Sequence, residues 1–340
     1  MTTFQDFALP EALQHKLDAL GFDKPTPVQE RAIPAALEHR DILGSAQTGT
    51  GKTAAFSIPL LTKIMNHADV YGIIVTPTRE LALQVDEQIR AFLSAKSKIR
   101  SVVLIGGASI ERQVQALGKR PKIVVGTPGR IIDHLERKSL DLSGFNYVVL
   151  DETDRMLDMG FSAPIAEIFS HVSEERQTLL FSATLPKNIQ KISAQYLQNP
   201  VRIEMGQVNS VGDNIVQSTQ FVSKDGKFEM LVDALREHDQ SAIVFMNSKF
   251  ATEKMAKRLK SAGITAEAIH GDLRQSKRER VISNLRDNKF RVLVATDVAA
   301  RGIDVPHIHQ VINFDLPRQT EDYIHRIGRT GRNGAQGIAL

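Results

Sequence analysis

The fold is decided by residues 41–56, which read Asp41-Ile42-Leu43-Gly44-Ser45-Ala46-Gln47-Thr48-Gly49-Thr50-Gly51-Lys52-Thr53-Ala54-Ala55-Phe56. A short apolar run leads into small residues and then Lys52-Thr53, which matches the phosphate-binding loop with alanine in place of its first glycine. Small residues let backbone N–H groups surround a phosphate at a helix N-terminus. We expect residues 46–53 to bind the phosphates, with Lys52 at the β- and γ-phosphates and Thr53 on Mg²⁺. The motif alone also fits a glycine turn that caps a helix.

A second motif combines an apolar run with acids, Tyr147-Val148-Val149-Leu150-Asp151-Glu152-Thr153-Asp154. Acids at the carboxyl edge of a parallel sheet face the crevice where ligands bind. Asp151 is predicted to hold Mg²⁺, and Glu152 to orient and deprotonate a water that attacks the γ-phosphorus. The alternative is a solvated acidic turn. The acidic cluster lies about 100 residues beyond the phosphate loop, and this order favours an ATPase or GTPase core.

Short apolar runs, typical of strands buried on both faces, alternate with helix-patterned segments such as Glu80–Leu93 and Thr252–Ala262. The pattern predicts an α/β fold with mostly parallel sheets flanked by helices. The runs are Tyr71–Val75, Val102–Ile105, Ile123–Val125, Tyr147–Leu150, Thr178–Phe181, Ala242–Phe245, Ala266–Ile269, Val292–Ala295 and Val311–Phe314.

Residues 204–214 hold three side-chain amides and two glycines without periodicity, which is typical of a linker. We therefore expect an N-terminal domain over residues 1–205, a linker over 206–213 and a C-terminal domain over 214–340. A length of 340 residues suits two domains. The strand-like end at residues 337–340 suggests a truncated second domain.

Composition excludes several classes of protein. Hydrophobic content of 42% and charged content of 24% are globular values, which excludes a disordered chain. No apolar run approaches the ~18 residues of a membrane span, and no secretory signal is visible. The chain has no cysteine, which excludes disulfides and thiolate metal sites and fits a cytoplasmic location.

The net charge of +4 is unevenly distributed. Residues 214–340 carry 20 Lys and Arg against 15 Asp and Glu, whereas the preceding residues carry 23 against 24. A basic second half suits a polyanionic partner, although a soluble domain also reaches such a balance by chance.

Ordered motifs along the chain carry a resemblance to one family. They are Gly21-Phe22-Asp23-Lys24-Pro25-Thr26-Pro27-Val28-Gln29, Pro77-Thr78-Arg79-Glu80-Leu81, Gly106-Gly107, Thr127-Pro128-Gly129-Arg130, Ser182-Ala183-Thr184, Thr296-Asp297-Val298-Ala299-Ala300-Arg301-Gly302-Ile303-Asp304 and His325-Arg326-Ile327-Gly328-Arg329-Thr330-Gly331-Arg332. From Phe4 to Arg332 the chain resembles a DEAD-box ATP-dependent RNA helicase of superfamily 2, of the bacterial type. The resemblance implies two RecA-like domains with the P-loop NTPase fold, ATP and Mg²⁺ as ligands, and RNA as partner. It also implies a monomer or a member of a ribonucleoprotein assembly, with no membrane association.

The first motif is predicted to read the base. A glutamine bonds both the donor and the acceptor on an adenine edge, so Gln29 suits ATP over GTP. Phe22 suits stacking on the ring, with Lys24 over the opposite face. The resemblance implies this adenine role and a further contact from Phe4, while core packing remains the alternative for both aromatic residues.

The last motif resembles the family's arginine fingers. Arg329 and Arg332 would share a face if the segment were helical, and both would reach γ-phosphate oxygens in the transition state. A solvated basic face is the alternative. Asp304 resembles the residue that holds the ribose hydroxyls. The resemblance therefore divides the catalytic residues between the two domains.

RNA contacts are implied by resemblance at hydroxyl residues, glycines and arginines, which suit phosphates and sugars rather than bases. These positions are Thr78, Arg79, Gly107, Thr127, Pro128, Gly129, Arg130, Gln275, Arg278, Thr296 and Arg301. Surface ion pairs are the alternative for Arg79 and Arg130. The resemblance makes Asp154, Ser182, Thr184 and His325 couplers between the ATP state and the RNA grip, with a hydrogen bond to Asp154 as the expected link.

One residue departs from the family pattern. Thr153 stands where the family usually has alanine, and because all three acids remain we expect activity to survive. Two alternatives stay open: an ATP-gated RNA clamp or assembly scaffold without productive unwinding, and a DNA helicase of the same superfamily.

Overall fold

The computed structural model divides the chain into two compact units, Met1–Val208 and Asn209–Leu340. It describes residues 2–46, 49–205, 214–300, 305, 307–317, 319–331 and 335–340. The predicted linker, residues 206–213, lies outside the described residues.

The first unit is built on a parallel sheet with the strand order β3-β4-β2-β5-β6-β1-β7. Its strands are β1 (Ile42–Ser45), β2 (Gly72–Val75), β3 (Ser101–Leu104), β4 (Ile123–Gly126), β5 (Tyr147–Leu150), β6 (Gln177–Ser182) and β7 (Val201–Glu204). The helices are α1 (Glu11–Ala19), α2 (Pro27–Leu37), α3 (Lys52–Asn66), α4 (Arg79–Ala91), α5 (Ile110–Leu117), α6 (Pro128–Glu136), α7 (Thr153–Asp158), α8 (Ser162–His171) and α9 (Lys187–Tyr196), preceded by a 3₁₀ helix at Phe4–Phe7.

Alternate residues of the central strands supply a separate core on each face of this sheet. Ile42 and Ile74 belong to one core, whereas Leu43 and Ile73 belong to the other. Side chains alternate between the faces of a strand, so a strand with both faces covered must be apolar throughout. The continuous apolar runs in the sequence follow from this arrangement.

The second unit repeats the same architecture, and every strand pair that its described residues form is parallel. The strand order is β10-β11-β9-β12-β13-β8. The strands are β8 (Ile215–Gln217), β9 (Ser241–Phe245), β10 (Ala266–Ile269), β11 (Val292–Ala295), β12 (Ile308–Ile312) and β13 (Gly337–Ala339). The helices are α10 (Lys227–Glu237), α11 (Lys249–Ser261), α12 (Gln275–Arg286), α13 (Asp297–Ala300) and α14 (Thr320–Ile327).

One predicted strand is shifted. The apolar run Val311–Phe314 suggested a strand that extends to Phe314, but β12 spans Ile308–Ile312. Polar His309 and Gln310 interrupt its apolar pattern and hide the true start. After Ile312 the chain leaves the ladder, and the backbone N–H of Asp315 donates to the Phe245 carbonyl at 3.1 Å.

Among the described residues, the structure contains no helix with the length and apolar character that crossing a membrane requires.

Candidate functional site

The phosphate-loop motif connects the carboxyl end of β1 to the first turn of α3. Gly51 is the N-cap of α3, with a φ of 91° that favours glycine. A Cβ at Gly51 would also lie 2.3 Å from the Gln29 amide nitrogen. Thr53 lies half-buried in the first turn, and Gly49 and Thr50 precede it. The positive φ therefore favours glycine at position 51, whereas a Cβ there would require the end of the Gln29 side chain to move. Gln47 and Thr48 lie outside the described residues.

Gln29 is tied to this loop. Its carbonyl oxygen accepts from the backbone N–H of Thr26 at 2.9 Å, and its amide donates to the Gly51 carbonyl at 3.1 Å. The Thr26 hydroxyl donates to the Thr50 carbonyl at 2.8 Å. An amide group has two donors and two lone pairs, so Gln29 keeps capacity for a base edge. Its predicted adenine contact would thus be linked to the phosphate loop.

Lys52 and Asp151 are both buried at the carboxyl edge of the first sheet. The Lys52 ammonium donates to the Ala46 carbonyl at 2.8 Å. Burial raises the pKa of Asp151 to about 6, and the neighbouring Glu152 and Asp154 act in the same direction. Lys52 acts in the opposite direction on the pKa of Asp151. The result is a buried acidic cluster that a further cation would stabilise.

Glu152 has an unusual backbone and a buried cationic partner. Its φ of 51° lies in the left-handed region, where a side chain other than glycine is strained. Its carboxylate lies 3.2 Å from the Arg155 guanidinium, and both side chains are buried. The strained backbone and the ion pair together fix the direction of the carboxylate.

The predicted adenine-contacting aromatic residues lie in an aromatic cluster. The Phe4 ring packs edge-to-face on Phe7 and Phe22, with centroids 5.7 and 5.6 Å apart. Phe22 packs in the same way on Phe92. Phe4 is buried and Phe22 half-buried, whereas Lys24 is exposed. The contacts agree with the packing alternative for Phe4, and the adenine role of these residues stays a prediction.

Three of the segments predicted to contact RNA converge at the carboxyl ends of β2, β3 and β4, which are neighbours in the sheet. Thr78 caps α4 and accepts from the backbone N–H of Leu81 at 3.3 Å. The Arg79 guanidinium lies against Gly106, where a Cβ would approach it to 3.1 Å. Arg130 donates to the Ala108 carbonyl at 3.2 Å. The structure thus brings Thr78, Arg79, Arg130 and the 106–108 segment to one edge.

The loops at this edge expose backbone groups. Gly107 is exposed with a φ of 81°, which favours glycine. Thr127 is the N-cap of α6, and Pro128 occupies the first turn, where its missing N–H costs nothing. Gly129 beside it is exposed. A surface of exposed glycines, a hydroxyl and guanidinium groups suits a sugar–phosphate backbone.

In the second unit, the residues predicted to contact RNA follow β10 and β11, and the predicted arginine finger Arg329 follows α14. Thr296 comes directly after β11, while Gln275 and Arg278 are buried in the first turn of α12. Helix α14 ends at Ile327, so Arg329 lies beyond it, buried, with its Nε donating to the His325 carbonyl at 3.3 Å. Arg329 therefore does not lie in a helix, and its predicted role with Arg332 stays a prediction. Arg301, Asp304 and Arg332 lie outside the described residues.

Comparison with known proteins decides the family. Residues 26–192 match the DEAD/DEAH box helicase model, and residues 226–334 match the helicase conserved C-terminal domain. The DEAD-box ATP-dependent RNA helicase CshA of Geobacillus kaustophilus is 44% identical over the whole of this chain, which covers 73% of that protein. The chain belongs to the DEAD-box ATP-dependent RNA helicase family.

Other relatives agree with this assignment. CshA of Bacillus cereus is 45% identical over the whole chain, which spans 65% of the length of that relative. The structure of Saccharomyces cerevisiae Dbp5 bound to RNA and ADP BeF3 is similar, with a TM-score of 0.88 and 32% identity, covering 100% of this chain and 88% of that one. The predicted fold of two RecA-like domains is thereby confirmed.

This DEAD-box chain accommodates threonine within its acidic motif. Thr153 is buried, and its hydroxyl lies within hydrogen-bond distance of the Leu150 carbonyl at 3.3 Å and the Phe181 carbonyl at 3.1 Å. The additional hydroxyl is therefore satisfied.

The structure joins Asp154 to the Ser182-Ala183-Thr184 motif. One Asp154 oxygen accepts from the backbone N–H groups of Ala183 at 2.9 Å and Thr184 at 3.1 Å, and from the Thr184 hydroxyl at 3.3 Å. Ser182 is buried, and its carbonyl accepts from the backbone N–H of Ala46 at 3.0 Å. These bonds link the acidic motif, the phosphate loop and β6. The predicted coupling role of these residues and of half-buried His325 remains a prediction.

Two buried arginines were given no role from the sequence. Arg155 pairs with Glu152, and a basic residue one turn after an acid was the available signal. Arg326 donates to both carboxylate oxygens of Asp297, at 2.5 and 2.7 Å, and to Asn313, Asn247 and the Asp315 carbonyl. Its partners are scattered over the sequence, so no local signal identified them. Arg326 therefore connects the segments that follow three strands: Asn247 after β9, Asp297 after β11, and Asn313 and Asp315 after β12.

Proposed function

We propose that this protein is an ATP-dependent RNA helicase that binds RNA and locally separates short duplexes, driven by ATP binding and hydrolysis. The observation that carries the proposal is the buried Lys52–Asp151–Glu152 cluster at the carboxyl edge of the first sheet, in a member of the DEAD-box family. Related proteins have been solved with RNA and a nucleotide analogue, which supports both ligands.

Nucleotide binding is assigned to the phosphate loop and Gln29. The Lys52 ammonium has three donors, and the bond to the Ala46 carbonyl uses one of them, which leaves donors for β- and γ-phosphate oxygens. Gln29 would select adenine with its remaining donor and acceptor. Because Gln29 also bonds the Gly51 carbonyl, base recognition and phosphate binding would tighten together.

The donor set fits Mg²⁺. Mg²⁺ prefers carboxylate and hydroxyl oxygens and usually binds through one or two carboxylates together with substrate phosphates. Asp151 and the Thr53 hydroxyl supply such oxygens, and burial, which raises the pKa of Asp151, leaves a carboxylate that a bound cation would stabilise. When bound, Mg²⁺ would neutralise phosphate charge.

Hydrolysis is assigned to Glu152. Its carboxylate would accept a proton from the attacking water, and the ion pair with Arg155 would hold the carboxylate in place. Arg329 and Arg332 would stabilise the charge that builds on the γ-phosphoryl group, and Asp304 would hold the ribose.

RNA binding is assigned to the segments at the carboxyl edges of the two sheets. Hydroxyls, exposed glycine backbone and guanidinium groups bind phosphates and sugars, so the grip would be independent of sequence. If ATP and RNA favour the same conformation, each tightens the binding of the other by the same factor. With these substrates, we propose that the protein acts in the cytoplasm, as a monomer or within a ribonucleoprotein assembly.

Two assays on the same protein test the proposal. We expect RNA to stimulate ATP hydrolysis more than DNA of the same sequence, and ATP to drive displacement of a strand from a short RNA duplex. RNA-stimulated hydrolysis without displacement would identify an ATP-gated clamp instead. Stronger stimulation by DNA would identify a DNA helicase. Hydrolysis that neither nucleic acid alters would refute the proposal.

A further inference from the structure

A buried hydrogen bond joins two of the RNA-binding segments and belongs to neither motif. Gln113 of α5 is 6% exposed and His134 of α6 is 0% exposed. The ring Nε2 of His134 lies 3.3 Å from the Gln113 carbonyl oxygen. Its Nδ1 lies 2.8 Å from the Ser139 hydroxyl. Neither residue lies in the motifs that carry the family resemblance.

The surrounding groups fix the direction of this bond. The Gln113 amide nitrogen donates to the carbonyls of Ile105 at 3.1 Å and Ser109 at 3.3 Å, so the Gln113 oxygen must face His134 as an acceptor. The His134 Nε2 therefore carries the hydrogen. Burial, with a contribution from Arg130, lowers the pKa of His134, which agrees with a neutral ring bearing a single hydrogen.

The bond connects the two flanks of the predicted RNA surface. Ile105 and Ser109 bracket the Gly106–Gly107 turn, and Gln113 bonds the carbonyl at each end of it. His134 lies about one turn after the Thr127–Arg130 segment on α6. At the strand ends, the backbone N–H of Thr127 donates to the Leu104 carbonyl at 3.0 Å, and farther out Arg130 donates to the Ala108 carbonyl through an exposed bond. The ladder bond fixes the strand ends only, and water competes with the exposed bond, so the buried pair holds the turn itself against α6.

We propose that the His134–Gln113 hydrogen bond is a positioning device that holds the 105–109 turn against α6 and thereby sets RNA affinity. Phosphates along a strand have a fixed separation, so two loops that bind them must keep a matching distance. A pair of loops already held at that distance loses less entropy when RNA binds. His134 and Gln113 act through the loops and do not touch RNA.

The inference rests on the proposed RNA binding, and a matched pair of amide substitutions tests it. His134→Gln keeps an amide nitrogen at the position of Nε2, which can donate to Gln113. His134→Asn has the same chemistry but ends at the position of Nδ1 and cannot reach Gln113. The full chain, with a non-hydrolysable ATP analogue, is titrated into a fluorescent single-stranded RNA, and its analogue affinity and thermal midpoint are measured in parallel.

We expect His134→Asn to weaken RNA binding about tenfold and His134→Gln to restore it, with the affinity for the analogue unchanged in both. Gln113→Met, which removes the acceptor, should reproduce the loss independently. His15→Asn, at an exposed position of α1, is the control and should have no effect. The inference is overturned if both amide variants bind RNA as tightly as the wild type, or both equally weakly. A wild-type chain that binds no RNA would instead refute the proposed function.

Discussion

Helix α3 carries one buried lysine at each end, and the two ends have opposite surroundings. Lys52, 6% exposed, lies at the carboxyl edge of the first sheet, whereas Lys63, 5% exposed, lies at the amino edge. Lys63 bonds the side chains of Gln177 and His39, the latter at 3.0 Å. The described bond of Lys52 goes to a single backbone carbonyl.

The acids differ in the same way. Asp41 at the amino edge accepts from the backbone N–H groups of Thr178 at 2.8 Å and Gln198 at 2.6 Å. Asp151 accepts only from its neighbour, Glu152, at 2.9 Å, among the bonds described for it, and it has two further acids beside it. Burial raises the pKa of both Asp41 and Asp151. A buried charge is therefore no mark of function by itself. Among the described residues, Lys52 and Asp151 at the carboxyl edge have fewer protein partners than Lys63 and Asp41 at the amino edge, which leaves them for a ligand.

The largest expected effect comes from replacing one carboxylate at the carboxyl edge and comparing it with a carboxylate near the amino edge. Glu152→Gln should lower the maximal rate of RNA-stimulated ATP hydrolysis about 10³-fold, because an amide cannot accept the proton of the attacking water. The affinity for ATP should remain. The control is Glu175→Gln near the amino edge, which should hydrolyse ATP at the wild-type rate. Wild-type turnover by Glu152→Gln, measured by phosphate release, would show that the base has been misassigned.

A second test exchanges the two lysines of α3 for methionine. Lys52→Met should weaken ATP binding about 10²-fold, because a buried charge no longer faces the phosphates. Lys63→Met should leave ATP affinity unchanged and lower the free energy of unfolding by about 2 kcal/mol, because Gln177 and His39 lose their partner. Calorimetric titration and urea unfolding of both variants measure these changes. Equal losses of ATP affinity in the two variants would remove the distinction between the edges.

A pH series sharpens the description of the amino edge. Burial lowers the pKa of Lys63 from 10.5 to about 8, with Asp41 acting in the opposite direction. Between these pH values the unfolded chain binds more protons, so the free energy of unfolding should rise with pH. We expect wild type to gain about 2 kcal/mol relative to Lys63→Met between pH 8 and 10.5, after allowance for partial solvent screening. Urea unfolding of both proteins at each pH measures this change. If the lysine were freely solvated, the free energies of unfolding of the two proteins would instead change with pH in parallel.

The sequence predicted the parallel strands well where both faces are buried. Tyr147–Leu150 and Val292–Ala295 match β5 and β11, because the cores on both faces demand apolar residues throughout. Two of the edge strands, β7 and β8, escaped prediction, because half or more of their residues are exposed and their polar positions hide the pattern. A continuous apolar run therefore indicates that a strand is buried on both faces, and strands with an exposed face lack this signal.

Site prediction was similarly uneven. Motifs that follow a strand could be assigned to the carboxyl edge from chain order alone, since parallel strands end together. The partners of Arg326 and the bond between His134 and Gln113 depend on side chains that are far apart in sequence. Such contacts follow from tertiary packing, and a single sequence carries no local signal for them.

The smallest expected effect concerns the one departure from the family motif. Thr153→Ala restores the usual alanine and removes the hydroxyl near the Leu150 and Phe181 carbonyls. Because a buried hydrogen bond contributes about 1 kcal/mol, the free energy of unfolding should fall by that amount. The hydroxyl points into the sheet and away from the acids, so the rate of ATP hydrolysis should stay within about twofold of wild type. A large change in that rate, with stability unaltered, would mean that Thr153 acts on Asp151 or Glu152.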